Sequence, residues 1–160
     1  MKQISITTTI SVYNSIEELS EFELQMMQKA IAVRKTAYAP YSKFKVGVSL
    51  VLDNGKIVTG SNQENAAYPS GLCAERVAIF HAGSAFPNSK IKQMFISASP
   101  ENEELEVPIP PCGACRQSIA EYEMKQEEPI AIFFMGATGE VYKTDSLKNI
   151  LPLLFDKKYL

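Results

Sequence analysis

A single histidine, His81, is all that this chain of 160 residues offers, and that scarcity removes several chemistries at once. With no second histidine and no Ser or Cys beside an obvious base, a hydrolase triad has little support. Cysteine is nearly as scarce. Three residues are an odd count that suits a disulfide framework badly and metal or redox chemistry better. No apolar run approaches the ~20 residues that cross a bilayer. Residues 1–10 alternate apolar and polar side chains rather than forming the continuous apolar block of a secretion signal. A cytoplasmic protein is therefore expected, with no membrane partner. Positive charge is also short. Sixteen Lys and Arg against eighteen Asp and Glu leave a net charge of -2, the wrong sign for gripping polyphosphate, so long nucleic acid is not an expected partner. Internal repeats, low-complexity tracts and linker-like stretches are missing too, which argues for one domain over residues 1–160.

What is present is the composition of an ordinary globular domain, 46% hydrophobic and 21% charged, long enough to bury roughly two thirds of its unfolded surface without staples. After the alternating start, either Ser15 with Glu18 or Ser20 with Glu23 fits a capping box. Leu24, Met27, Ile31 and Arg34 follow at helical spacing, for a helix ending near Tyr38-Ala39-Pro40. Residues 46–52 and 56–59 flank Asp53-Asn54-Gly55 and predict a hairpin. Apolar runs at 94–98 and 130–135 predict further strands. Gly136-Ala137-Thr138-Gly139 is too short for a crossover, so the strands on either side of it should be antiparallel. A last short helix is expected from about Asp145 to near Pro152. Helices alternating with strands predict a three-layer α/β/α sandwich.

Two cysteine segments carry the chemistry. Cys112 and Cys115 are three apart in an expected first helical turn, which puts both sulfurs on one side, close enough to share an ion, and Cys73 can complete the site. A helix N-terminus favours thiolates, and three sulfurs on Zn²⁺ leave a fourth position open for water. The Cys112/Cys115 spacing alone also fits a structural zinc clip or a redox pair. Glu75, two residues beyond Cys73, is placed to move protons at a metal-bound water, although it could simply complement a helix N-terminus. His81 lies eight residues from Cys73, about 12 Å along a continuous helix, and is expected to be structural rather than a ligand.

Four segments together make a specific pattern: Tyr38-Ala39-Pro40-Tyr41-Ser42-Lys43-Phe44, Asn62-Gln63-Glu64-Asn65-Ala66-Ala67-Tyr68-Pro69, Cys73-Ala74-Glu75-Arg76 and Pro111-Cys112-Gly113-Ala114-Cys115-Arg116-Gln117. From about Ser20 to Phe155 the chain resembles the small zinc-dependent cytidine deaminases of the three-cysteine type. The resemblance implies a mixed five-stranded sheet. It also implies one Zn²⁺ per subunit on Cys73, Cys112 and Cys115, whose hydroxide attacks C4 of cytidine or deoxycytidine, with Glu75 as proton shuttle, in pyrimidine salvage. It places Asn62 and Glu64 on the ribose, Phe44 beside the base, Ala74 among the substrate-binding residues, and Phe155 in a neighbouring subunit's site within a homotetramer. Three thiolates leave the ion with a net charge of -1, so Arg76 and Arg116 are expected to donate hydrogen bonds to ligand sulfurs, as in similar three-cysteine deaminases.

Without the resemblance, Asn62 reads as a turn residue, Glu64 as a solvated charge, and Phe44 and Phe155 as core. Residues 1–14 are a strand-like N-terminal extension to the matching part. Glu101-Asn102-Glu103-Glu104-Leu105-Glu106 looks like an acidic loop insertion of the kind that is usually just solvated. Two rival functions stand beside the first: a related deaminase with a different nucleoside or nucleotide substrate, and a non-catalytic zinc module in which Glu75 is idle.

Overall fold

Glu23 donates its amide to Ser20 Oγ at 3.3 Å while its carboxylate receives the Ser20 amide at 3.0 Å. Of the two capping boxes open in the sequence, the second therefore starts the first helix, α1 (Glu21–Arg34). In this computed structural model, which describes residues 1–160, the helix ends before Tyr38. Lys35, Thr36 and Ala37 donate their amides three residues back, and the Thr36 hydroxyl donates to the Val33 carbonyl at 2.8 Å, so the last turn tightens and stops.

The strands are β1 (Ser11–Tyr13), β2 (Phe44–Leu52), β3 (Ile57–Ser61), β4 (Ile91–Pro100), β5 (Ala131–Met135) and β6 (Val141–Thr144), with α2 (Ala74–Ala85) and α3 (Gly113–Gln126) between them. They form one sheet in the order β1-β6-β5-β4-β2-β3. Only β4 and β5 pair in parallel. The hairpin around Asp53-Asn54-Gly55 and the antiparallel pair across residues 136–139 form where expected. The sheet has six strands rather than five. The extra one is β1, whose Val12 lies opposite Tyr142 and covers the edge of β6.

Alternation along the strands sorts the core onto two faces. Val48, Leu50, Met94, Ile96, Ile132 and Phe134 meet Ala78, Ile79, Ile119 and Ala120 of α2 and α3 on one face. Val51, Phe95, Phe133, Met135 and Val141 meet Met26, Met27 and Ala30 of α1 on the other. Phe95 and Phe133 stack there with ring centres 4.5 Å apart. At roughly 1.5–3 kcal/mol for each large apolar side chain fully buried, the first of these faces fixes α2 and α3 against the sheet. Both cysteine-bearing helix starts therefore lie on the same side. The layers are those of an α/β/α sandwich.

The expected last helix is instead a single 3₁₀ turn, Leu147–Asn149. Its groups are taken by partners outside the turn. The Leu147 amide donates to Glu123 Oε1 at 2.8 Å, Asn149 Nδ2 donates to Thr144 Oγ1 at 3.0 Å, and the Ile150 carbonyl just beyond accepts from Arg116 NH1 at 2.8 Å. The acidic run is likewise more than a solvated loop. Its Leu105 carbonyl receives the Ala137 amide at 2.6 Å, and the Ser99 hydroxyl is bonded to the Glu103 carbonyl. Lys45 pairs with Glu101 at 2.8 Å. Gly136 permits this docking, since a Cβ there would fall on the Leu105 carbonyl oxygen.

Candidate metal centre and active site

Cys73 and Cys112 occupy equivalent places, each the extended residue that immediately precedes a helix, α2 and α3 respectively. Local sequence explains both starts. Gln63 and Leu72 exchange both backbone hydrogen bonds at 2.9 Å, which pins the chain one residue before Cys73. Pro110-Pro111 disfavours helix until Cys112. Helix amides free of internal partners therefore open toward both sulfurs. Cys115 sits one turn into α3 and is fully buried.

The sulfurs of Cys73 and Cys112 are 3.9 Å apart, and all three sulfurs lie within 4.8 Å of one another. A disulfide needs about 2.05 Å. Bonds of about 2.3 Å around a tetrahedral Zn²⁺ place sulfurs about 3.8 Å apart. The spacing therefore fits three thiolates on one ion, and this donor set is the one zinc prefers.

The cluster leans toward ionisation at one sulfur. The hydrogen bond from Cys115, then the Arg76 guanidinium, bring Cys73 down to about 5, against the opposing effect of burial. The Cys73 thiolate and burial push Cys115 up. Arg76 donates an NH2 hydrogen bond to Cys73 Sγ at 3.9 Å, and its Nε is buried with no acceptor. Arg116 does not point its hydrogen bonds at a sulfur, contrary to the expectation. Its Nε goes to the Pro111 carbonyl and its NH1 to the Ile150 carbonyl, both at 2.8 Å, so it braces the backbone before Cys112 against the C-terminal segment.

Glu75 lies in the first turn of α2 and is only 4% exposed. Burial pushes its carboxyl up to about 7, with its own backbone amide partly opposing. It faces a cavity of about 340 Å³ whose lining also includes Cys73, Cys112, Asn62, Glu64 and Phe44, a size suited to a small molecule. A larger cavity of about 460 Å³ shares Ser42, Asn62, Glu64 and Cys73 with it and is also lined by Tyr41, Tyr68 and Arg76, but not by Glu75. Only the smaller one brings the Glu75 carboxyl and Cys112 together with Cys73 against an apolar wall of Ile96, Ala98 and Ile109.

The remaining sequence candidates divide. Asn62 is buried, its Oδ1 receiving the Val46 amide at 2.8 Å and its Nδ2 donating to the Phe44 carbonyl at 2.9 Å, so it stitches the start of β2 while lining the cavity. Glu64 Oε2 receives the amides of Tyr41 and Ser42 at 2.9 and 3.3 Å. Ala74 is fully buried in the first turn of α2. Phe155 is exposed, stacks on Tyr159 with ring centres 5.8 Å apart, and does not line its own chain's cavity. Sequence reasoning passed over Ile109 and Pro110, which wall the cavity. The signal for them was the apolar and proline-rich stretch between the acidic run and Cys112.

A family model described as the cytidine and deoxycytidylate deaminase zinc-binding region matches residues 20–127. A cytidine deaminase of Sporosarcina psychrophila is 37% identical over 136 residues, covering 85% of this chain and 93% of that protein. One from Halalkalibacterium halodurans is 40% identical over 96 residues, covering 60% of this chain and 68% of that protein. The crystal structure of cytidine deaminase from Burkholderia pseudomallei superposes with a TM-score of 0.72 at 35% identity, covering 86% of this chain and all of that one. The matched segment spans all three clustered sulfurs and Glu75, so sequence likeness and site geometry fall on the same residues. By that agreement, this chain belongs to the cytidine and deoxycytidylate deaminase zinc-binding family.

Proposed function

We propose that this protein is a zinc-dependent cytidine deaminase, converting cytidine and deoxycytidine with water into uridine and deoxyuridine plus ammonia. The observation that carries the reading is the buried Glu75 carboxyl in one cavity with a three-sulfur cluster. A structural zinc site has no use for such a group. Cys73, Cys112 and Cys115 would hold the ion, which supplies Lewis-acid activation of water when bound. Glu75, whose carboxyl is raised to about 7, is poised to accept a proton from the attacking water. It then delivers that proton to ring N3, takes the second from the hydroxyl now on C4, and passes it to the departing amine. Water thus provides the oxygen that replaces the amino nitrogen at C4, and its two protons end one on N3 of the uracil ring and one in ammonia.

Asn62 and Glu64 are read as contacts to the sugar, Phe44 as the aromatic beside the base, and Ala74 as a further substrate-binding residue. No Lys or Arg lines the 340 Å³ cavity, and both of its carboxylates, Glu64 and Glu75, would repel a phosphate, which supports a nucleoside over a nucleotide. The exposed Phe155 suits a residue lent to a neighbouring subunit, and a homotetramer with shared sites is the assembly proposed. A cytoplasmic role in pyrimidine salvage completes the reading. The test is a panel of cytidine, deoxycytidine and cytidine monophosphate with zinc-loaded protein, following ammonia. Turnover of both nucleosides with little from the nucleotide is expected. Full zinc occupancy with no ammonia from any of them would make the protein a structural zinc module instead.

A further inference from the structure

Lys43 has a positive φ of 58°, one of three non-glycine residues to do so, and it separates two residues that line the cavity, Ser42 and Phe44. Left-handed backbone is uncommon for a side chain of this kind and persists where the surroundings enforce it. The surroundings here are specific. Residues 39–43 form one turn, closed by the Lys43 amide on the Ala39 carbonyl at 3.1 Å. The turn points two successive amides, Tyr41 and Ser42, at the same oxygen, Glu64 Oε2. The positive φ then redirects the chain into β2, where Ser42 Oγ receives the Phe44 amide at 3.0 Å. The Lys43 carbonyl accepts the Glu101 amide at 2.7 Å, tying the turn to the acidic loop. Held through Oε2, Glu64 keeps Oε1 for a ligand. Its bonding to Ser42, aided by the nearby Lys43 charge, keeps the carboxyl below the usual range and ionised.

We propose that Lys43 is a positioning residue for substrate binding, acting through its left-handed backbone to set the turn whose amides aim Glu64 into the cavity. This rests on the reading of Glu64 as a sugar contact. Three variants separate backbone from charge: Lys43→Met removes the ammonium and keeps an unbranched chain, Lys43→Gly adopts positive φ freely, and Lys43→Val places a β-branched residue where it fits worst. With cytidine as substrate, Lys43→Val should raise KM about tenfold while kcat and zinc content stay within about twofold of wild type. Lys43→Gly and Lys43→Met should keep KM within about twofold. A KM for Lys43→Val near that of wild type, or a KM raised as much by Lys43→Met or Lys43→Gly, overturns the proposal. Glu64→Ala is measured beside them. If it leaves KM unchanged, the reading of Glu64 itself falls. If it raises KM and Lys43→Val does not, only the positioning role falls.

Discussion

Gly60 of β3 lies directly beneath Ala78 of α2, so close that a Cβ on Gly60 would stand 2.7 Å from the Ala78 amide nitrogen and 2.8 Å from the Ala74 carbonyl oxygen. Backbone cannot yield there as a flexible side chain would. The contact sets the height of the first turn of α2 over the sheet, and with it Cys73 and Glu75. Gly60→Ala should cost about 1–3 kcal/mol by overpacking. It should also loosen zinc, seen as a lower unfolding temperature together with faster metal loss to a chelator. Unchanged zinc loss would detach the metal site from this contact.

Zinc uptake should release protons. Cys73 is already brought down to about 5, whereas Cys115 is pushed up and stays a thiol at neutral pH. Binding requires thiolates, so at pH 7 at least the Cys115 proton must leave, and affinity must fall as pH is lowered. Titrating zinc into weakly buffered, metal-free protein with a pH indicator measures this. Uptake with no proton released would contradict it.

Arg76→Gln should weaken zinc by roughly 10- to 100-fold, the usual scale for losing a hydrogen bond to a metal ligand. Arg76 reaches Cys73 Sγ, and the variant also removes a buried Nε that has no acceptor. Fold stability should therefore change little while chelator competition shifts strongly. Equal zinc affinity in variant and wild type would make the Arg76 contact incidental.

Glu75→Gln should stabilise the zinc-free protein at high pH. Burial raises the folded carboxyl from 4.5 to about 7, so between those values the folded state binds more protons than the unfolded state. Stability therefore declines as pH rises through that window. The amide has no charge to bury, so at pH 8 the variant gains up to about 3 kcal/mol over wild type. Denaturant unfolding of both proteins at pH 5 and pH 8 measures this. Parallel pH dependences would contradict the account.

Much of this was legible because it is local. The hairpin follows from Asp53-Asn54-Gly55 between apolar runs, and α1 from the reciprocal bonds of Ser20 and Glu23. The sulfur cluster follows from spacing at two helix starts. What escaped depends on partners far along the chain. Alternation marks the N-terminal extension as strand-like, but β1 is only three residues long and pairs with residues about 130 positions away, so neither its bounds nor its partner is announced. Arg116 is drawn from the sulfurs by the Ile150 carbonyl, 34 residues on. The acidic run is held by backbone contacts to Ala137, next to a glycine with no side chain to block them, which charge patterning alone does not reveal.

The most direct test of the account is ammonia release from cytidine by zinc-loaded Glu75→Ala, with bound metal counted in the same sample. The expected result is undiminished zinc and a rate lower by about a hundredfold or more, since proton transfer loses its only buried carboxyl in the cavity. Wild-type ammonia release from a fully zinc-loaded variant would contradict it.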